Sequence, residues 1–129
     1  MSNIKTYTVK ASWFNDAEVK LSVDHDVLTS ELATEINSFW GDADSRLADE
    51  DDDAVKAVVR LFGARAIACL MEQGGADFGE RRPDIGKWWT QKVIDEQGEG
   101  WPDAESLGIL IKSAEVCSVG FDDVELEAV

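Results

Sequence analysis

Thr6-Tyr-Thr-Val-Lys-Ala-Ser-Trp13 and Ala17-Glu-Val-Lys-Leu-Ser-Val-Asp24 decide the fold. Tyr7, Val9, Ala11 and Trp13 alternate with polar residues in the first, and Ala17, Val19, Leu21 and Val23 do so in the second. Successive side chains of a strand point to opposite faces, so period two marks a strand with one buried side. If Phe14-Asn15-Asp16 is a three-residue hairpin loop, Trp13 lies opposite Ala17, Ala11 opposite Val19, Val9 opposite Leu21 and Tyr7 opposite Val23. All the apolar groups then share one face. A two-residue Asn15-Asp16 turn would put the two apolar rows on opposite faces, which favours the longer loop.

Downstream the period changes to that of helices. Thr29 precedes a stripe of Leu32, Ile36, Phe39 and Trp40, with Gly41 where a terminal glycine belongs, so a threonine-capped helix is expected there. A longer helix starts near Asp53, where Val55, Val58, Val59, Phe62, Ala66, Cys69 and Leu70 hold one face until Gly74-Gly75. The carboxylates of Asp51, Asp52 and Asp53 at its start face partial positive charge on the free amides, each pairing contributing roughly 0.3–1 kcal/mol. Residues 73 to 84 read as a loop. A third helix, capped by Asp84, carries Ile85, Trp88, Trp89 and Val93 to Gly98. Leu107, Ile109 and Ile111 begin a strand running to about Val116, and Val124, Leu126 and Ala128 alternate with Glu125 and Glu127 in a weaker last strand. Strands at both ends with helices between them imply an α+β fold: a mostly antiparallel sheet, built from the N-terminal hairpin and the C-terminal strands, with about three helices packed on one face. Residues 1–129 are expected to form a single domain.

At 129 residues the chain can bury a core, and 44% hydrophobic residues, five Trp and five Phe separate it from a disordered acidic tail. No apolar run approaches the ~20 residues that span a bilayer, and Met-Ser-Asn-Ile-Lys-Thr has no leader pattern; a cytoplasmic protein without a membrane partner is expected. Cys69 and Cys117 have neither zinc nor disulfide spacing and read as two buried thiols.

Charge is the strongest functional clue. The net charge is −15, and Asp42-Ala-Asp-Ser-Arg-Leu-Ala-Asp-Glu-Asp-Asp-Asp53 puts seven carboxylates and one arginine into twelve residues. Residues 54 to 92 are mildly basic, with seven basic and four acidic groups, while residues 93 to 129 carry ten acids and one Lys. Such a balance repels nucleic acid, whose phosphates supply most non-specific affinity, and favours a cationic protein. Trp88-Trp89 with Arg81, Arg82, Lys87 and Lys92 interleaves aromatic and basic groups as a single-strand stacking platform does. The net charge outweighs that pattern; Trp88 and Trp89 are expected to divide between core and rim, with Trp101 beside them, and an exposed Trp would suit a partner anchor.

Motif tests for chemistry fail. An EF-hand loop beginning at Asp42 meets Leu47 and Asp53 where Gly and Glu are needed, and one beginning at Asp49 meets Ala54 and Arg60. Asp24-His25-Asp26 holds the only histidine and suggests a metal ligand or acid-base pair, yet no third ligand or nucleophile accompanies it and a strand-to-helix turn accounts for it. No glycine-rich phosphate loop is present. No cofactor is expected.

The stretch Val23 to Trp40, followed by Gly-Asp-Ala-Asp-Ser-Arg-Leu and the Ala-Val-Val-Arg-Leu-Phe helix, resembles a family of small acidic proteins of unknown function from proteobacterial plasmids, prophages and other mobile elements, over roughly residues 5 to 116. That resemblance brings no catalytic residues and implies an accessory role in mobile DNA. The expectation is a non-enzymatic acidic protein that binds a basic or nucleic-acid-binding host protein, as a DNA mimic would, and does not itself bind nucleic acid. The partner-binding candidates are Asp42, Asp44, Asp49, Glu50, Asp51 and Asp52, with Asp122, Asp123, Glu125 and Glu127 as a second group. The alternatives are a metal-dependent binder or enzyme using Asp24, His25, Asp26 and the 42–53 carboxylates, or a small structural subunit that dimerises through its helical Trp face. The sequence leaves the oligomeric state open.

Overall fold

A computed structural model describes residues 3–11, 17–98, 100–117 and 126. Strands β1 (Ile4–Lys10) and β2 (Glu18–Asp24) pair antiparallel as the alternation requires, and Val19, Leu21 and Val23 are fully buried. Their register differs from expectation by two residues. Tyr7 faces Leu21, Val9 faces Val19, and the Ala11 amide donates to the Ala17 carbonyl at 2.7 Å. Period-two patterning fixes which face is buried, and a shift of two preserves that face, so the pattern cannot choose between the registers. The expected partner pair Trp13 and Ala17 is therefore replaced by Ala11 and Ala17, and residues 12–16 lie outside the described residues.

Helix α1 (Ser30–Phe39) starts where expected, the Thr29 hydroxyl accepting from the Leu32 amide at 3.3 Å. Helix α2 (Ala43–Asp49) was not expected; it forms inside the acidic run. Helix α3 (Ala54–Glu72) is capped by Asp53, whose carboxylate accepts from the Lys56 amide at 3.1 Å, and all seven expected face residues are buried. It crosses the buried side of the sheet so closely that a Cβ on Gly63 would lie 2.5 Å from Val9 Cγ2.

Strand β3 (Gly75–Phe78) corrects the expected loop over 73–84: four residues are too few to show a period, and Gly74 and Gly75 enter it at φ +94° and +90°. Helix α4 (Pro83–Gln97) has Pro83 in its first turn and Arg82 at the cap position, so Asp84 is an acid of the first turn rather than the cap. A four-residue helix α5 (Ala104–Leu107), capped by Asp103, takes Leu107 out of the following strand, and β4 (Ile109–Cys117) completes the set.

The sheet is antiparallel throughout, in the order β1-β2-β4-β3. Among the described residues five helices replace the expected three, because α2 and α5 are too short to carry an amphipathic signal. The last expected strand falls outside the described residues except for Leu126, which is 98% exposed. No helix among the described residues is long and apolar enough to cross a membrane.

Candidate interaction surface: an acidic elbow

The acidic run folds as an elbow between α1 and α3, and its single cation explains why. Arg46 lies under the C-terminus of α1. Its Nε donates to Asn37 Oδ1 at 2.7 Å, its Nη2 to the Asn37 and Trp40 carbonyls at 3.0 and 3.1 Å, and its Nη1 to the Gly41 carbonyl at 2.5 Å. Asn37, 1% exposed, in turn donates to the Ala43 carbonyl at 3.2 Å. The last carbonyls of a helix have no partner within it and carry partial negative charge, so a forked guanidinium is well matched to them. Consequently Arg46 is fixed on backbone oxygen and does not neutralise the carboxylates around it.

The seven acids divide by role. Asp53 caps α3, and Glu50, half-buried, pairs with Arg60 at 3.2 Å. The remaining five, Asp42, Asp44, Asp49, Asp51 and Asp52, are exposed and make no ion pair among the described residues. Three of them occupy left-handed backbone, at φ +65° for Asp42, +54° for Asp51 and +65° for Asp52. Aspartate tolerates this region better than most residues. The Asp52 amide then reaches the Leu47 carbonyl at 2.7 Å and closes α2, turning the chain into α3. The second candidate group, Asp122, Asp123, Glu125 and Glu127, lies outside the described residues.

Asp24, His25 and Asp26 form a turn that ties down the start of β1. Tyr7 Oη and His25 Nε2 are 2.9 Å apart, Asp24 Oδ1 accepts from the Asp26 amide at 3.0 Å, and Asp26 Oδ2 accepts from the Asn3 amide at 3.2 Å. Among the described residues no three His, Cys, Asp or Glu side chains converge as metal ligands. Cys69 is buried, and burial, followed by the nearby Glu96 carboxylate, pushes its thiol pKa up.

The tryptophans divide as expected, with one correction. Trp89 is half-buried and Trp88 is 59% exposed, with Lys92 Nζ 5.6 Å from its ring centre. Trp101, however, packs on Phe62 and Trp40, with ring centres 5.6 and 6.3 Å away, rather than beside the α4 pair. Sequence reasoning missed the Arg46 clamp; an arginine six residues beyond Trp40, the residue that caps α1, was its only signal.

Fold and surface together define a small α+β protein, a helix-covered antiparallel sheet whose distinctive surface is this acidic elbow. Residues 18–126 match the family described as "Protein of unknown function (DUF2528)", and the chain belongs to that family. It is 30% identical over 134 residues to "Protein ea10" of Escherichia phage lambda and to "Lambda prophage-derived protein ea10" of Escherichia coli O6:H1, with 99% of each chain covered. Relatives thus come from a phage and a prophage, in line with the expected mobile-element setting. No solved structure matches the chain.

Proposed function

We propose that the chain is a non-enzymatic binding protein of phage origin whose acidic elbow engages the cationic face of a host nucleic-acid-binding protein, occupying it as DNA would. The observation that carries this reading is the set of five exposed aspartates at 42, 44, 49, 51 and 52, left without an ion pair among the described residues while Arg46 serves the backbone. Glu50 belongs to the same elbow but already holds Arg60. Unpaired surface carboxylates attract a basic partner from solution, speed its encounter and lose hold as salt screens them, with a screening length of about 8 Å at physiological ionic strength. Asp122, Asp123, Glu125 and Glu127 stay candidates on sequence alone.

The test is capture of host proteins on the immobilised chain at about 50 and 500 mM salt, with competition by duplex DNA. Expected is a basic protein held at low salt, released at high salt or by DNA, and held several-fold more weakly by the Asp49→Asn, Asp51→Asn, Asp52→Asn triple variant. Undiminished capture by that variant would remove the elbow from the interaction.

A second reading rests on Trp88, whose exposed ring and the cations Arg81, Arg82, Lys87 and Lys92 of the same region suit base stacking on a single strand. The charge of −15 ranks it second. Direct, salt-sensitive binding of labelled single-stranded DNA that is lost on Trp88→Ala would reverse the ranking.

A further inference from the structure

We infer that two copies of the chain pair through the outer edges of their β1 strands, about a two-fold axis at Thr8, and that the two α3 helices close over the join. The acidic elbow takes no part. The Ala11 amide bonds to Ala17 and the Asn3 carbonyl accepts from His25, so odd-numbered residues of this strand bond inward to β2. Antiparallel alternation then turns the N–H and C=O groups of Thr6, Thr8 and Lys10 outward. No strand meets them among the described residues. Sheets ordinarily protect such an edge with a cover, a bulge, proline or closely set charge; the central Thr6-Tyr-Thr-Val9 carries neither proline nor charge.

Helix α3 lies beside that edge and runs in the same direction as β1. Tyr7 lines a hollow of about 430 Å3 with Lys56 and Val59, Val9 meets Gly63, and Ala11 lines a groove of about 550 Å3 with Met71 and Glu72. On the open side of the helix Ala64 and Ala68 are exposed. Such short side chains let two helices approach to the lower end of the usual ~8–10 Å between axes. Pairing of the strands therefore brings the two α3 faces together over the groove and takes Val9 and Met71 out of water.

Charge selects a second copy as the occupant and sets its direction. Lys10, Glu50, Lys56, Arg60 and Glu72 line the two hollows. Lys10 bridges Glu18 and lies on the other face of the sheet, and Arg60 holds Glu50. What is left is Lys56 at the start of α3 and Glu72 at its end, neither in an ion pair among the described residues. A ligand of one sign would satisfy only one end. A second copy turned about a two-fold axis sets Lys56 of each against Glu72 of the other. With Thr8 on that axis, Lys5, which shares the helix side of the sheet with Tyr7 and Val9, faces Ala11 of the second copy, in the groove that Glu72 lines. The net charge of −15 opposes association over the surface at large; at this edge the signs match.

Sedimentation equilibrium of the full chain over a wide concentration range tests this. Expected is a doubling of the 14.2 kDa chain mass. Thr8→Pro removes an outward amide, a change that an edge strand tolerates, and should return the chain to single mass with unchanged circular dichroism. Lys56→Glu and Glu72→Lys should each weaken the dimer several-fold. An equimolar mixture of those two variants should regain it, because pairing between unlike copies then joins opposite charges at both ends. Single mass for the unaltered chain at every concentration would overturn the inference, and so would a dimer indifferent to Thr8→Pro or a mixture no tighter than its components.

Discussion

The Thr90 hydroxyl joins α4 to the sheet: it accepts the Ile111 amide at 2.9 Å and donates to the Gly86 carbonyl at 2.7 Å, both within the buried interior. Strand β3 pairs with β4 only from Ala114 to Cys117, so the first half of β4 would otherwise present a bare edge. Helix α4 covers it. Gly86 lies against the same residue, where a Cβ would overlap the Ile111 carbonyl oxygen. Ile111 also begins the irregularity where Lys20 faces Ser113 but Leu21 faces Ile111. The extra residue bends the strand at the point where the helix meets it.

Thr90→Val keeps the side-chain shape and removes the hydroxyl, leaving the Ile111 amide buried without an acceptor. Such a group costs about 1–3 kcal/mol. Urea unfolding should show that loss, with Thr90→Ser recovering most of it.

Gly63→Ala tests the approach of α3 to β1. Alanine favours a helix by up to ~1 kcal/mol over glycine, but its Cβ meets Val9 at 2.5 Å, and overpacking of this kind costs about 1–3 kcal/mol. Net destabilisation is expected, relieved when Val9→Ala is added. A double-mutant cycle should therefore give a coupling of at least ~0.5 kcal/mol, and additive effects would contradict the contact.

Arg46→Met removes four hydrogen bonds at the end of α1 and leaves Asn37 Oδ1 buried without its donor. A loss of about 2–3 kcal/mol is expected from charge-assisted bonds of this kind. Arg46→Lys should recover only part, since an ammonium lacks the fork that reaches several carbonyls at once. Chemical denaturation checks both.

Asp52 stands at φ +65°, so Asp52→Gly should hold or raise stability while Asp52→Ala lowers it by roughly 1 kcal/mol. Thermal unfolding of the pair separates backbone conformation from charge, because both variants lose the same carboxylate.

Cys69 gives a pH prediction. Its folded pKa is raised above the ordinary 9.0 by burial and Glu96. The unfolded chain then holds fewer protons between the unfolded and folded values, so stability is constant below about 9.0 and falls as pH rises above it. In a Cys117→Ser background, Cys69→Val should flatten that fall. The native thiol should also react with a disulfide reagent at pH 8 far more slowly than in urea.

The alternations of 7–11, 17–23 and 109–116 and the apolar stripes of 32–40, 55–70 and 85–93 were enough to place three strands and three helices, because side-chain period is a local property of the backbone. The stripe gave the buried face of α3 but not of α1, where Phe39 is 54% exposed and the polar Asn37 is buried in its place. The acidity of 42–53 was equally legible. Tertiary structure alone decided the rest. It chose between hairpin registers two residues apart, which local pattern leaves equivalent, and it made a strand of Gly75–Phe78 by offering the edge of β4. It brought Thr90 to Ile111 across 21 positions and drew Arg46 onto the end of α1, leaving the elbow aspartates without their nearest cation. Hydrogen bonds between distant residues leave no period in the chain; they form only after packing has set the elements side by side.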